Sequence, residues 1–256
     1  MGFGSFPYKR SWYLDVAEPR PETEDLLCLL SEFKKGDFKN VDSLAPLMSS
    51  ASIDVRKYAL QLFADVCANE QVHLAEQALH AAPSLDEVRH VLFRLGETFS
   101  LRAIPLLLEW REELGDSDTD EYVSDALGEL MPLPGVDKRT AGELDLISLY
   151  TSQIKKQDAS LYFYRGRPIF VGDVTKELIV RCTVAYKEKR NCMISMQSQI
   201  LSNFSGIECP VVPGQLILDA DMENVFSYVQ RLAAMKWERG KKYFFHHDVS
   251  AERDDV

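Results

Sequence analysis

Three segments of the chain decide its fold: DVRKYALQL at 54–62, EVRHVLFRL at 87–95 and YVSDALGEL at 122–130. In each segment, apolar residues follow the valine by three, four and seven positions, which places them on one face of a helix. The valines recur about every 34 positions, and a shorter apolar segment precedes each copy. The repeating unit is therefore a helix, a turn and a second helix, with the period of a helical solenoid.

Length and composition are those of an ordinary globular protein. The 256 residues, with 46% apolar and 27% charged side chains, suffice for one large or two medium domains. No run approaches the roughly 20 apolar residues of a membrane span, and residues 1–7 lack the pattern of a secretory signal. The five cysteines are odd in number and scattered, so we expect reduced, structural thiols. We therefore expect a cytoplasmic protein with no membrane partner.

The negative charge lies in the repeat half of the chain. Residues 1–135 contain 24 Asp and Glu against 12 Lys and Arg, whereas residues 136–256 contain 16 against 17. Phosphate recognition requires clustered positive charge, so a nucleic-acid partner is disfavoured. An acidic surface instead favours fast capture of a basic protein. The alternative is a solvated surface that only aids solubility.

Turn residues and changes of composition divide the chain into four predicted parts. They are an N-terminal arm packed on the body (1–22), a repeat domain (23–135), a C-terminal α+β domain (136–249) and a frayed tail (250–256). In the C-terminal part the pattern predicts a β-hairpin at 161–171, helices over 143–156, 173–189, 192–204 and 221–237, and a strand at 243–246. The predicted fold class is mainly α: a short solenoid of about three helix pairs, then a small α+β module with a β-hairpin.

The repeats resemble a known family in two features. Pro46 and Pro105 stand in the first helices, and Asp-Val-Arg at 54–56 is followed by an Ala/Leu run in the second helix. In these residues the units resemble HEAT repeats, which implies stacked helix pairs with an extended protein-binding surface. The pattern is incomplete, because the third copy has Ser124 in place of the arginine and the second copy lacks the first-helix proline.

The densest charge cluster of the chain lies at the turn between the last two repeat helices. An alternation of aspartates there is typical of a calcium loop, but Glu121 and Leu127 stand where such a loop requires glycine and glutamate. Two interpretations stay open, a solvated acidic turn and a contact surface for a partner. The candidate partner-binding residues are Glu112, Glu113, Asp116, Asp118, Asp120 and Glu121.

No motif in the sequence indicates catalysis. Phosphate loops, the nucleophile elbow, metalloprotease motifs and zinc-ribbon cysteine spacing are missing, and we expect no enzyme activity, cofactor or metal. The remaining enzyme hypothesis places a site around Arg165, Arg167, His246 and Asp248. His246 and Asp248 would share one face of a strand. The two arginines flank the tip of the predicted hairpin, where they bind an anion or are simply solvated.

A short acidic HEAT-like domain joined to an α+β module is similar to bacterial immunity proteins of contact-dependent growth inhibition and polymorphic toxin systems. The resemblance implies a protein that binds and neutralises a cognate toxin domain. Many such toxins are nucleases with basic clefts, which an acidic inhibitor can occupy. The first prediction is therefore a protein-binding inhibitor of a basic toxin domain. The rival is a scaffold or assembly factor whose repeats dock onto a cellular complex.

Overall fold

The computed structural model describes residues 21–133 and 145–250, and it is mainly helical with short antiparallel strand pairs in the C-terminal part. The predicted fold class is confirmed. The predicted N-terminal arm, apart from its last two residues, and the predicted tail, apart from Ser250, lie outside the described residues. Within the described ranges, no helix has the length and apolar character needed to cross a membrane.

Three helix pairs follow an initial helix, as the repeat pattern predicts. Members of each pair pack on each other, and the second helices α3, α5 and α7 also pack in a row. Two short 3₁₀ turns, Val41–Ser43 and Asn69–Leu74, lead into α2 and α4. The helices are α1 (Pro21–Phe33), α2 (Leu44–Met48), α3 (Ile53–Val66), α4 (Ala75–Ala81), α5 (Leu85–Gly96), α6 (Ala103–Leu114) and α7 (Ser117–Leu130).

The apolar spacing explains the stacking of the second helices. Val55, Val88 and Val123 are all buried in one hydrophobic cluster. Helices α5 and α7 approach each other closely at Gly96, where the methyl group of an alanine would lie 2.8 Å from the Cα atom of Ala126. A side chain at position 96 would therefore push the two helices apart.

The C-terminal part contains the four predicted helices, with bounds shifted by a few residues, and the predicted hairpin. Three antiparallel pairs form, β1–β2, β3–β4 and β5–β6. The β3–β4 pair was not predicted, because two residues are too few to show an alternating pattern. The elements are α8 (Leu146–Ile154), β1 (Phe163–Tyr164), β2 (Arg167–Pro168), α9 (Val171–Glu188), β3 (Asn191–Cys192), α10 (Ser195–Ser205), β4 (Gln215–Leu216), α11 (Asp219–Ala233), β5 (Tyr243–Phe244) and β6 (His247–Asp248).

The prediction of one closing strand over 243–246 was wrong. Phe245 and His246 have φ angles of 49° and 63°, so they form the two-residue turn of a second hairpin between β5 and β6. Two-residue hairpin turns usually show glycine or asparagine, which tolerate positive φ. An aromatic residue followed by histidine carries no such signal, so the sequence pattern concealed the turn.

The hydrophobic core consists of two clusters, and each cluster contains residues from both halves of the chain. The first cluster holds the repeat helices and also Phe163, Phe244 and Val249 from the C-terminal part. The second cluster holds α9, α10 and α11 and also Phe99, which follows α5, whereas Leu146 and Tyr150 of α8 belong to the first cluster. The described C-terminal part from Ser160 to Ser250 is called the C-terminal module below. The predicted domain boundaries stay a prediction.

Candidate partner-binding surface

The amino-terminal ends of α3, α5 and α7 lie side by side, because ion pairs join their first turns. The Nε and Nη2 atoms of Arg56 on α3 each donate to the Glu87 carboxylate on α5 at 2.8 Å. The Nη2 atom of Arg89 on α5 donates to Asp116 before α7, also at 2.8 Å. The surface formed by these first turns and the α6–α7 turn, residues 52–57, 84–90 and 112–122, is called the acidic edge below.

The acidic edge exposes both carboxylates and apolar side chains. The side chains of Asp86 and Asp118 are 90% and 70% exposed. Ile53 and Leu85 occupy the first position of α3 and α5, and they are 45% and 51% exposed, while Tyr122 on α7 is 42% exposed. These apolar residues were not predicted to be part of a site; a signal was present, because a large apolar residue at the first helical position falls outside the buried stripe.

Asp116 has a structural role in this surface. Its carboxylate accepts hydrogen bonds from the Thr119 N–H at 2.9 Å and the Thr119 hydroxyl at 2.7 Å, so it is the N-cap of α7. These two bonds, with help from Arg89, lower the pKa of Asp116 to about 2. Helix α7 therefore begins at Ser117, because Asp116 captures the first free N–H groups.

The other five predicted acids differ in how much of their charge is compensated. Asp120 lies 2.8 Å from the Nε atom of Arg111, and Asp118 lies 3.6 Å from Arg89. Three more, Glu112, Glu113 and Glu121, are exposed and form no ion pair with another described residue. The structure thus brings all six residues to one turn, and it leaves part of their negative charge available to a partner.

The opposite, carboxyl-terminal ends of the second helices are covered by the C-terminal module. The turn of the β1–β2 hairpin donates two N–H groups to the last turn of α7, from Arg165 to the Glu129 carbonyl at 2.6 Å and from Gly166 to the Leu130 carbonyl at 2.9 Å. The Arg165 guanidinium also holds the Glu129 carboxylate with two bonds of 3.0 Å. Arg165 therefore binds a carboxylate, as one of the two predictions had it, and that carboxylate belongs to the same chain.

A buried lysine covers the end of α3. The Nζ atom of Lys242, which is fully buried, donates to the carbonyls of Ala64 at 2.6 Å and Cys67 at 3.2 Å. Burial lowers the pKa of Lys242. Nearby, Asn203 donates from its amide nitrogen to the Asp65 carboxylate at 2.9 Å. A positive charge at these carbonyls is placed where the helix dipole favours it.

The end of α5 is covered in the same manner, by the base of the first hairpin. The N–H of Phe163 donates to the Phe99 carbonyl at 2.7 Å, and Ser100 forms a β-bridge with Tyr162. The module therefore contacts the carboxyl-terminal ends of α3, α5 and α7 in turn. Of the two ends of these helices, the acidic edge is the one that the module leaves open.

The four residues of the enzyme hypothesis are not assembled into one site. Arg165 and His246 occupy the turns of different hairpins; the first contacts α7, and the N–H of His246 donates to the Phe204 carbonyl on α10. Asp248 pairs with Lys241 at 3.2 Å, while Arg167 is exposed on β2. Among the described residues, no group of three or more His, Cys, Asp or Glu side chains is placed to hold a metal ion.

A cleft of about 400 Å³ lies between α5, α7 and α10. Its walls combine acids such as Glu97 and Glu129, bases such as Arg165 and Arg181, and the thioether of Met193. The sequence pattern does not predict the cleft, because both halves of the chain contribute to it. Several of its charges are engaged in ion pairs, since Arg165 holds Glu129 and Glu97 contacts Arg94 next to the cleft.

The sequence profile of a protein family described as Immunity protein 47 matches residues 14–249. The chain belongs to the Immunity protein 47 family. Membership supports the predicted role of an immunity protein with a protein toxin as its partner, and it suggests an inhibitor rather than an enzyme. The match to Immunity protein 47 spans both hydrophobic clusters, so the helix pairs and the C-terminal module both lie inside the family region. The resemblance to HEAT repeats stays a prediction. No curated protein and no solved structure matches the chain.

Proposed function

We propose that the chain neutralises a basic toxin domain by binding it on the acidic edge. The observation that supports the proposal is the pairing of exposed carboxylates with exposed apolar side chains at the one end of α3, α5 and α7 that the C-terminal module leaves open. Such a mixed surface suits a protein partner, since apolar contacts supply binding free energy and charges supply orientation and speed.

The charge of the acidic edge suits a toxin whose own active site is basic. Nucleases bind the phosphates of their substrate with clustered lysines and arginines. A row of carboxylates at the amino-terminal ends of three helices offers negative charge to such a cleft and occupies it. We therefore propose a nuclease toxin as the partner, acting in the cytoplasm, where the immunity protein meets it.

Residues of the acidic edge contribute to binding in different ways. Glu112, Glu113 and Glu121, which lack an ion pair within the described chain, attract the toxin over a distance set by the salt concentration. Ile53 and Leu85 lose water at the contact and slow dissociation. Asp116 positions the first turn of α7 and does not itself have to touch the partner.

The test uses the toxin domain encoded beside the gene for this chain. The variant E112K/E113K/E121K reverses three exposed charges, and the matched control E24K/E223K/E238K makes the same change of charge at exposed positions outside the acidic edge. At about 50 mM salt we expect association of the edge variant to be at least ~10-fold slower than that of the control, with a weaker salt dependence.

Two further readouts separate the parts of this proposal. Inhibition of nucleic-acid cleavage by the toxin, measured with the wild-type chain, checks that the partner is a nuclease. Equal association rates of the edge variant and the control variant would show that the acidic edge is not the contact surface. A toxin that binds tightly but cleaves no nucleic acid would agree with the acidic edge as the contact surface. The same result would contradict the proposal that the partner is a nuclease.

A further inference from the structure

Two buried cysteines of the C-terminal module are adjacent in space. The Sγ atoms of Cys182 on α9 and Cys192 on β3 are 3.7 Å apart, and both residues are at most 1% exposed. Both are free thiols. From the sequence, both cysteines are expected to be structural thiols. Ten positions and a helix end separate them, so no local pattern indicates that their side chains are in contact.

The chain reversal after α9 brings the two sulfurs together. Lys189 adopts a left-handed conformation with φ of 52°, and the N–H of Arg190 donates to the Ala185 carbonyl at 3.0 Å. This arrangement ends the helix sharply, as in a Schellman motif, and β3 then returns over α9. Cys192 is held in this position, since its carbonyl accepts a hydrogen bond from the Gly214 N–H at 2.8 Å and β3 pairs with β4.

We propose that Cys182 and Cys192 are a modification site, at which a peroxide converts the two thiols into a reversible disulfide. A disulfide requires a sulfur–sulfur distance of about 2.05 Å. The two sulfur atoms, which are 3.7 Å apart, therefore have to approach each other by about 1.7 Å. A peroxide suits the buried position, because hydrogen peroxide is hardly larger than water.

Cys192 is the thiol that reacts first. The hydrogen bond with Cys182 and the positive charges of Arg181 and Arg190 lower the pKa of Cys192. Both charges are fixed close to this sulfur, because Arg181 donates to the carbonyl of the next residue, Met193, at 3.1 Å and Arg190 directly precedes β3. The same hydrogen bond, together with burial, raises the pKa of Cys182. Cys182 therefore keeps its proton and serves as the resolving thiol, which is the arrangement found next to peroxide-sensitive cysteines.

The reaction is balanced with one peroxide. The Cys192 thiolate attacks one peroxide oxygen, the O–O bond breaks, and a sulfenic acid and hydroxide form; the hydroxide takes the thiol proton and leaves as water. The Cys182 sulfur then attacks the sulfenic sulfur, the S–O bond breaks, and the departing oxygen takes the Cys182 proton and leaves as a second water. Two thiols are oxidised by two electrons, and the peroxide is reduced to two waters.

The disulfide would tie β3 to α9 next to the cleft described above. Met193 follows Cys192 directly, is 65% exposed and lines that cleft. The carbonyl of Met193 already accepts a hydrogen bond from Arg181 at 3.1 Å. A disulfide at position 192 therefore fixes one wall of the cleft. The residues of this disulfide are not part of the acidic edge.

The experiment uses the full chain with Cys28→Ser, which removes the exposed thiol and prevents links between molecules. After hydrogen peroxide treatment, the remaining thiols are blocked with N-ethylmaleimide in denaturant. We expect two blocked thiols instead of four, a peptide pair joining positions 182 and 192, and full recovery with dithiothreitol. With Cys182→Ser added, we expect Cys192 to be trapped as a sulfenic acid by dimedone.

Cys67 and Cys209 serve as internal controls, because both are buried thiols. A link through either of them, or four blocked thiols after peroxide treatment, would overturn the proposal. Irreversible oxidation of Cys192 in the protein that retains Cys182 would overturn it as well. The proposal is independent of the acidic edge, so its failure would leave the proposed toxin contact untouched.

Discussion

The two ends of helices α3, α5 and α7 differ in what they contact. At the carboxyl-terminal ends, N–H groups of the β1–β2 turn donate to carbonyls of α7, the buried Lys242 donates to carbonyls at the end of α3, and the Phe163 N–H donates to the Phe99 carbonyl just after α5. At the amino-terminal ends, caps and ion pairs link the first turns to each other, and charged and apolar side chains are exposed. If the acidic edge binds the toxin as proposed, stability and recognition lie at opposite ends of the same helices, and substitutions at each end should separate them.

The largest effect is expected where the module enters the repeat core. Phe163 is fully buried in the first hydrophobic cluster, although it belongs to the first hairpin. Phe163→Ala should lower the free energy of unfolding by about 3–5 kcal/mol, because it removes a buried aromatic ring and leaves a cavity. Denaturant unfolding measures this value. The control Phe226→Ala removes an exposed ring on α11 and should have little effect; equal losses would show that the module is not anchored there.

A smaller loss is expected at the close approach of α5 and α7. Gly96→Ala places a methyl group 2.8 Å from backbone and side-chain atoms of Ala126, and it should cost about 1–3 kcal/mol. Gly128 on α7 is the matched control, since nothing would lie within 4 Å of a methyl group added there. Gly128→Ala should stabilise the protein by about 0.5–1 kcal/mol through helix propensity. The same sign for both changes would contradict the tight packing at Gly96.

The two ends also differ in how far the sequence predicts them. The buried stripe of each second helix follows from local spacing, and so do the first hairpin and the position of the acidic turn. The covering of the carboxyl-terminal ends does not, because it depends on contacts such as that between Lys242 and Ala64, which are 178 positions apart. A lysine in a sequence normally indicates a surface position, and no local pattern marks this one as buried.

Within the acidic edge, composition predicted the location of the charge but not the use of each residue. Asp116 and Asp118 are equivalent in the sequence, two acids of one cluster. Only the structure separates them, because the helix begins between them and directs the free N–H groups toward Asp116. The exposure of Ile53 and Leu85, by contrast, has a signal in the sequence, because both lie outside the buried stripe of their helices.

Lys242 gives the covered end a pH dependence of known sign. Its pKa in the folded protein is lowered below 10.5 by burial, so the unfolded state binds more protons between the two pKa values. Stability therefore rises with pH in that window, by at most about 1.4 kcal/mol per pH unit. The unfolding free energy of Cys67→Ser minus that of Cys67→Ser/Lys242→Met should increase as the pH rises toward 10.5.

Both proteins of this comparison carry Cys67→Ser, because Lys242 itself lowers the pKa of Cys67 and the titration of that thiol would otherwise differ between them. Tyr162, whose pKa is raised mainly by burial, lowers stability at high pH in both proteins, and the Asp65 carboxylate is present in both. The pH-independent loss of the bonds to Ala64 and Cys67 offsets both measurements equally. A difference that stays flat or falls over this pH range would mean that Lys242 is not buried as a charged group.

The smallest effect is expected at the open end, in the first turn of α7. Asp116→Ala removes the N-cap bonds to Thr119 and the contact with Arg89, so it should lower the thermal unfolding midpoint, by less than either destabilising change above. Asp118→Ala removes a 70% exposed carboxylate and should leave the midpoint unchanged.

Since the pKa of Asp116 is lowered to about 2 from 3.8, the contribution of this carboxylate to stability is present above about pH 4 and is lost as the pH falls through about 2. The midpoints of wild type and Asp116→Ala should therefore converge in acid, while toxin association at neutral pH should respond to Asp118→Ala despite its unchanged midpoint. Equal midpoints of the two variants at neutral pH would contradict the prediction that Asp116 stabilises α7 as its N-cap while Asp118 does not contribute to stability.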